Sequence, residues 1–208
     1  MKKLLASIES LKDSTISSVI SERIKEFSEI REFGIEKIFE ELCFCILTAN
    51  CAAKRCIEVQ KRINTGFLKY SEEELRNKLK EYGYRFPNIR AEYIVEARNF
   101  ILDIKKKKNS NVDEMMLREW LAKTIKGLGY KEASHFLRNI GFKNIAIIDF
   151  HIIDILDEFG IIQKPKTLTK KKYTEIEQGL KKIGERVNLD LDELDLYLWY
   201  METNEVLK

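Results

Sequence analysis

Apolar residues recur at spacings of three and four along most of this chain, and little interrupts them. Leu4, Leu5, Ile8 and Leu11 form one stripe; Ile16, Val19, Ile20, Ile24, Phe27 and Ile30 form a longer one. That period places each set on one face of a helix. Nine glycines and two prolines in 208 residues leave room for long helices joined by short turns. From Gly34 to Thr48 the sequence is polar at its start and almost wholly apolar at its end, the pattern of a helix running from surface to core. It stops near Asn50, where a polar residue is either a local cap or a functional tip. Ser71 and Glu74 have capping-box spacing and open another helix. Pro87 is expected to keep Y-R-F-P-N-I-R (84–90) from being helical, with a helix following from Arg90 to about Ile104. The polar run K-K-K-K-N-S-N (105–111) reads as a linker or surface loop. Only Ile145 to Ile148 hints at a strand, too isolated to make a sheet. The expectation is an all-α fold of about ten helices.

Composition removes several classes. With 44% hydrophobic and 34% charged residues the chain is globular rather than disordered. A net charge of +3 gives no global field for nucleic acid. The local clusters at Lys105–Lys108 and at Lys164, Lys166, Lys170, Lys171 and Lys172 read, each by itself, as solvated surface. No window approaches the ~18 apolar residues of a membrane span, and the first residues lack the apolar core of a signal peptide. A cytoplasmic protein is expected. The four cysteines, Cys43, Cys45, Cys51 and Cys56, have a spacing that fits no usual zinc pattern and lie in a helical segment. Buried reduced thiols are expected, and no metal.

Residues 125–151 carry the chemistry. Gly127-Leu128-Gly129 is a tight turn between two helical patterns, with Lys131 just beyond it and Asp149 at the end of an apolar run. Glycines let a backbone turn sharply and approach a ligand closely. The exposed N–H groups and the positive end of the next helix dipole suit a phosphate. The bland alternative is an ordinary glycine-rich connector. Lys131 is then either one more phosphate contact or a nucleophile that forms a Schiff base, for which it must attack as the neutral amine. Asp149 suits a carboxylate that opposes positive charge developing on a sugar. It is equally placed to cap the helix that follows, and the two roles are compatible.

G-L-G-Y-K-E-A with a downstream I-I-D-F-H resembles the helix–hairpin–helix DNA glycosylase superfamily. C-F-C-I-L-T-A-N, Y-G-Y-R-F, R-A-E-Y-I-V, E-L-D-L-Y-L-W-Y and the terminal lysine resemble its 8-oxoguanine DNA glycosylase/AP lyase branch, in the archaeal-type second group. The resemblance implies two helical subdomains flanking a DNA-binding cleft. One is a helical barrel over 33–143 that ends in the helix–hairpin–helix at 118–141. The other comprises 1–32 and 144–208. It implies a bifunctional repair enzyme: Lys131 attacks C1′, expels the base and forms an imine, and β-elimination nicks the strand. Asp149 stabilises the oxocarbenium-like sugar. Gly127, Leu128, Gly129 and His151 meet DNA phosphate.

Asn50 resembles the residue that fills the gap left by a flipped base. Arg55 and Arg85 resemble arginines that read the estranged cytosine, and Tyr84 resembles a wedge. Phe86, His135, Trp199 and Lys208 are the implied base-recognition residues. The iron–sulfur cysteines of other branches are missing from the C-terminal part, so no cluster is expected. The sole cofactor expectation is a monovalent cation on the hairpin carbonyls. The implied partner is double-stranded DNA containing 8-oxoguanine, and the implied setting is a monomer associated with a prokaryotic nucleoid. Two alternatives stay open: the same lyase chemistry on oxidised pyrimidines, and a non-catalytic hairpin module that binds DNA.

Overall fold

The computed structural model describes residues 1–110 and 112–208. Among them the chain forms thirteen α-helices and no strand: α1 (Lys2–Lys12), α2 (Ile16–Glu32), α3 (Ile35–Thr48), α4 (Ala53–Ile63), α5 (Gly66–Lys69), α6 (Glu72–Glu81), α7 (Pro87–Ala97), α8 (Ile101–Lys108), α9 (Glu114–Thr124), α10 (Tyr130–Asn139), α11 (Phe150–Glu158), α12 (Lys170–Val187) and α13 (Leu191–Thr203). The chain divides into two compact units, Met1–Ser28 with Gly141–Lys208, and Glu29–Ile140.

The unit Glu29–Ile140 is built around α3. Ile38 through Thr48 are all buried, and α4, α5, α7, α8 and α10 pack against this helix. The apolar end of α3 needs that surround, since each fully buried large apolar side chain contributes about 1.5–3 kcal/mol. Polar groups fix the neighbours in register. Gln60 Nε2 on α4 donates to Glu40 O at 3.0 Å and to Glu41 Oε1 at 2.9 Å. Asn139 Nδ2 on α10 donates to Glu41 Oε2 at 3.1 Å. Buried groups left unpaired here would each cost about 1–3 kcal/mol, so Glu41 selects one orientation of α4 and α10.

Three sequence expectations change. Pro87 does not exclude helix from 84–90; it is the first residue of α7, where its missing N–H costs nothing and its φ is already helical. The expected single helix from Arg90 to Ile104 is divided by a 3₁₀ turn at Arg98–Phe100. Lys105 to Lys108 are not a loop. They form the last turn of α8, where cations oppose the negative end of the helix dipole. Lys108 Nζ donates to Arg31 O, and Lys107 sits over the Trp120 ring at 4.9 Å. Asn111, the last residue of the expected linker, lies outside the described residues.

The unit Met1–Ser28 with Gly141–Lys208 packs α11 on α13 and α12 against α1 and α13. Ile20, Phe27, Leu196 and Tyr197 form one of its apolar clusters. Ile145–Ile148 is buried and non-helical but pairs with no strand among the described residues. Side chains of α12 take the place of a neighbouring strand. Ala146 N donates to Glu177 Oε1 at 3.0 Å, Ile148 N donates to Tyr173 Oη at 3.2 Å, and Tyr173 Oη donates to Ala146 O at 2.8 Å. Backbone polarity is thereby satisfied without a sheet, and the segment delivers Asp149 to the start of α11.

Candidate active site

The hairpin lies between α9 and α10. Ile125 leaves α9 in an extended conformation, Gly127 has φ +85°, and Gly129 caps α10. Leu128 N donates to Ile125 O at 3.2 Å, which closes the turn and buries Leu128. A side chain at Gly127 is excluded twice. Its φ is left-handed, and a Cβ there would fall 2.7 Å from the Tyr93 ring and 3.0 Å from Arg90 Nη1. At the start of α10 the Glu132 carboxylate closes the cap: its Oε2 accepts from Gly129 N at 3.1 Å. Its Oε1 lies 4.0 Å from Lys131 Nζ. Lys131 is half-buried, and its charge is also felt by the buried Cys56 thiol, whose ionisation burial pushes far up.

The end of α3 is the second feature of this unit. Asn50 is exposed and left-handed, with φ +62°. Four carbonyls near this helix end have donors: Thr48 Oγ1 donates to Cys45 O at 2.9 Å, Tyr84 Oη to Leu47 O at 2.6 Å, Cys51 N to Thr48 O at 3.1 Å, and Arg90 Nη2 to Ala49 O at 3.1 Å. The turn that presents Asn50 is therefore tied from outside the helix. Tyr84 is buried, and burial raises its hydroxyl pKa. A buried, hydrogen-bonded ring is not presented as a wedge in this structure; it supports α3. Beside it Arg85 is exposed and stacks on Phe86 at 4.9 Å. Arg55 is exposed on α4 and pairs with Glu58 at 3.2 Å. His135 lies on the buried side of α10, edge-on to Phe44 at 5.5 Å.

The remaining expected residues belong to the other unit. Asp149 caps α11, its Oδ1 accepting from Ile152 N at 3.0 Å, so its second oxygen is available for other work. Phe150 is 63% exposed and its ring lies 3.9 Å from that of His151. His151 also meets Trp199 of α13 edge to face at 4.6 Å. Its Nδ1 lies 3.8 Å from Glu202 Oε1, an ion pair when the imidazole is protonated. The Trp199 indole N–H is buried with no hydrogen-bond acceptor among the described residues. Lys208 is half-buried at the end of the chain.

A family model described as 8-oxoguanine DNA glycosylase matches residues 20–189. The chain belongs to that family. It is 53% identical over 206 residues to the 8-oxoguanine DNA glycosylase/AP lyase of Methanocaldococcus jannaschii, covering 99% of each chain. It is 51% identical over 199 residues to the Korarchaeum cryptofilum protein of the same name, covering 95% of this chain and 94% of that one. The crystal structure of the M. jannaschii 8-oxoguanine glycosylase/lyase, in complex with 15mer DNA containing 8-oxoguanine, superposes with a TM-score of 0.95 at 52% identity. The match covers 99% of this chain and 100% of that one. The 8-oxoguanine DNA glycosylase of Thermotoga maritima superposes with a TM-score of 0.91 at 40% identity, covering 100% and 99%. The chain is thus an archaeal-type member of the helix–hairpin–helix superfamily.

Within each unit the expected residues have further neighbours that the sequence did not single out. Arg90 and Tyr93 lie against Gly127, Cys56 lies in the field of Lys131, and Glu202 lies against His151. Glu202 alone carried a local signal, since it follows Trp199 by one helical turn and so shares its face. Arg90 and Tyr93 share α7 and Cys56 lies on α4, and no spacing within either helix points to Gly127 or Lys131. Among the described residues no group of three or more His, Cys, Asp or Glu is arranged to hold a metal ion. Cys43, Cys45 and Cys56 are buried and Cys51 is half-buried, and none of the four is in a disulfide. No helix among the described residues is long and apolar enough to cross a membrane.

Proposed function

We propose that this protein excises 8-oxoguanine from double-stranded DNA and nicks the resulting abasic site. The observation that carries the reading is Lys131 in the first turn of α10, directly after a glycine hairpin, in a chain of this family. A base inside a duplex is out of reach, so the damaged nucleotide is first flipped out at a cost of a few kcal/mol. The hairpin backbone and the N-terminus of α10 hold the DNA phosphates. The neutral Lys131 amine attacks C1′; the C1′–N9 bond breaks and its electron pair leaves with the base. The C1′–O4′ bond then opens to give an imine. Loss of a C2′ proton expels the 3′ phosphate, and water releases Lys131 from the imine. Asp149 stabilises positive charge on the sugar through the oxygen not used as the cap.

The remaining assignments rest on the same reading. Asn50 fills the vacated position, Arg55 and Arg85 face the unpaired cytosine, and His151 contacts phosphate. Phe86, His135, Trp199 and Lys208 serve base recognition; aromatic stacking on a base contributes about 1–3 kcal/mol. The protein acts as a cytoplasmic monomer.

Borohydride trapping tests this directly. Incubation with an 8-oxoguanine:C duplex gives a covalent protein–DNA adduct, and Lys131→Gln abolishes it while leaving the thermal melt unchanged. A folded wild-type protein that forms no adduct on this duplex would refute the assignment. Equal trapping on a thymine glycol duplex would move the substrate to oxidised pyrimidines.

A further inference from the structure

Arg90 is buried, with 8% of its surface exposed, yet it belongs to no ion pair among the described residues. A buried guanidinium without a carboxylate needs another reason to be there, because its desolvation is costly. Its contacts give one. Nη2 donates to Ala49 O at 3.1 Å, the carbonyl next to Asn50. Nη1 lies 3.0 Å from where Gly127 would carry a Cβ. The plane rests over Tyr93 at 5.5 Å, and the group lies beside the Tyr84 hydroxyl. Nε is buried with no hydrogen-bond acceptor among the described residues. One side chain from α7 thus touches the Asn50 turn, the tyrosine that supports it and the hairpin glycine. Asn50 is left-handed, a turn conformation that asparagine tolerates, so its direction is set by what holds the carbonyls around it.

We propose that Arg90 is a positioning residue for base excision: it locks the Asn50 turn to the hairpin so that both meet a flipped-out nucleotide together. This rests on the function proposed above. Arg90 itself stays buried and acts through Asn50. The geometry asks for an arginine, because a planar fork can hold a carbonyl at one edge while lying on an aromatic ring. Lysine keeps the charge and one bond only.

The test is a double-mutant cycle with two substrates. Single-turnover excision from 8-oxoguanine:C duplex and cleavage of a preformed abasic site are measured for wild type, R90K, R90Q, N50A and R90Q/N50A, with a thermal melt of each. R90Q slows excision about 30-fold, the scale expected when a reacting geometry is displaced. It slows cleavage of the abasic site, which has no base to extract, by no more than about fivefold. R90K, which keeps the charge but loses the planar fork, slows excision about tenfold, less than R90Q. In the N50A background R90Q adds no more than about threefold, because the two residues act as one unit. If both substrates slow equally and in step with the melt, Arg90 is only structural and the proposal fails. It fails as well if the R90Q and N50A losses multiply, or if N50A excises at the wild-type rate. Should R90Q not fold, R90K with N50A makes the same comparison. Wild type that excises normally while the cycle is additive overturns the Arg90 role alone; wild type inert on 8-oxoguanine overturns the function.

Discussion

The imidazole of His151 meets the indole of Trp199 edge to face, with centroids 4.6 Å apart and planes at 77°. Such a pair contributes about 0.5–1.5 kcal/mol beyond its buried area, and here it orients the ring proposed to contact phosphate. Trp199→Ala frees that ring. Affinity for a duplex containing a tetrahydrofuran abasic analogue is expected to fall about tenfold, a loss of about 1.4 kcal/mol. Fluorescence anisotropy reads this, and an unchanged affinity would remove the orienting role.

Gly127→Ala places a methyl group at φ +85°, 2.7 Å from the Tyr93 ring. The backbone term alone costs about 1–3 kcal/mol, and Tyr93 and Arg90 must also move. A drop of about 4–10 °C in Tm is expected for a chain of this length, with weaker DNA binding. Gly83→Ala is the control, since it shares the left-handed φ but a Cβ there meets nothing within 4 Å. Scanning calorimetry of the two variants separates strain from crowding: equal losses would mean that crowding contributes nothing.

Tyr84→Phe removes the donor that serves Leu47 O at 2.6 Å and leaves a buried carbonyl at the end of α3 unpaired. The expected cost is about 1–3 kcal/mol, measured by urea denaturation with an unchanged m-value. The ring itself stays, so core packing is preserved. A neutral result would show that water replaces the hydroxyl.

Asp192 provides a pH signature. Burial raises its carboxyl pKa to about 6, against the lowering effects of the Glu193 N–H and the Lys143 charge. The unfolded chain releases this proton near 3.8. Between those values the folded state holds a proton that the unfolded state has lost, so this group's contribution to stability falls as pH rises through the window. Above pH 6 the buried carboxylate costs at most about 3 kcal/mol. Asp192→Asn keeps an acceptor for Glu193 N, whose bond to Asp192 Oδ1 is 2.9 Å. The variant should be more stable than wild type at pH 8, by about 1–3 kcal/mol, and the difference should vanish below about pH 4. A difference that stays constant with pH would rule this origin out.

Much of this was legible in the chain because the signals are local. The stripe of α2, the capping box at Ser71 and the passage of α3 from polar to apolar each depend on residues one or two turns apart. The same holds for Gly127, Gly129 and Lys131, whose spacing announces a tight turn with an amine in the first turn of the next helix. Pro87 misled because one residue type has two local outcomes, breaker or first residue of a helix, and only what precedes it in space decides. Lys105–Lys108 misled for a similar reason: the run is polar enough for a loop, but Arg31 O and the Trp120 ring give two of its lysines partners that a helix presents correctly. Ile145–Ile148 had the pattern of a strand and found Tyr173 and Glu177 in place of one.

The sequence by itself determined the helical class and the glycine hairpin, because helix period and glycine conformation are properties of near neighbours. Tertiary structure decided what surrounds them. Tyr84 became a buried support for α3, His151 gained Trp199 and Glu202, and Arg90 came to touch Asn50's turn and Gly127 at once. Those partners come from different helices, tens of residues apart in the chain. Their meeting is set by packing and by the need to satisfy each buried polar group, which no periodicity within a single segment records.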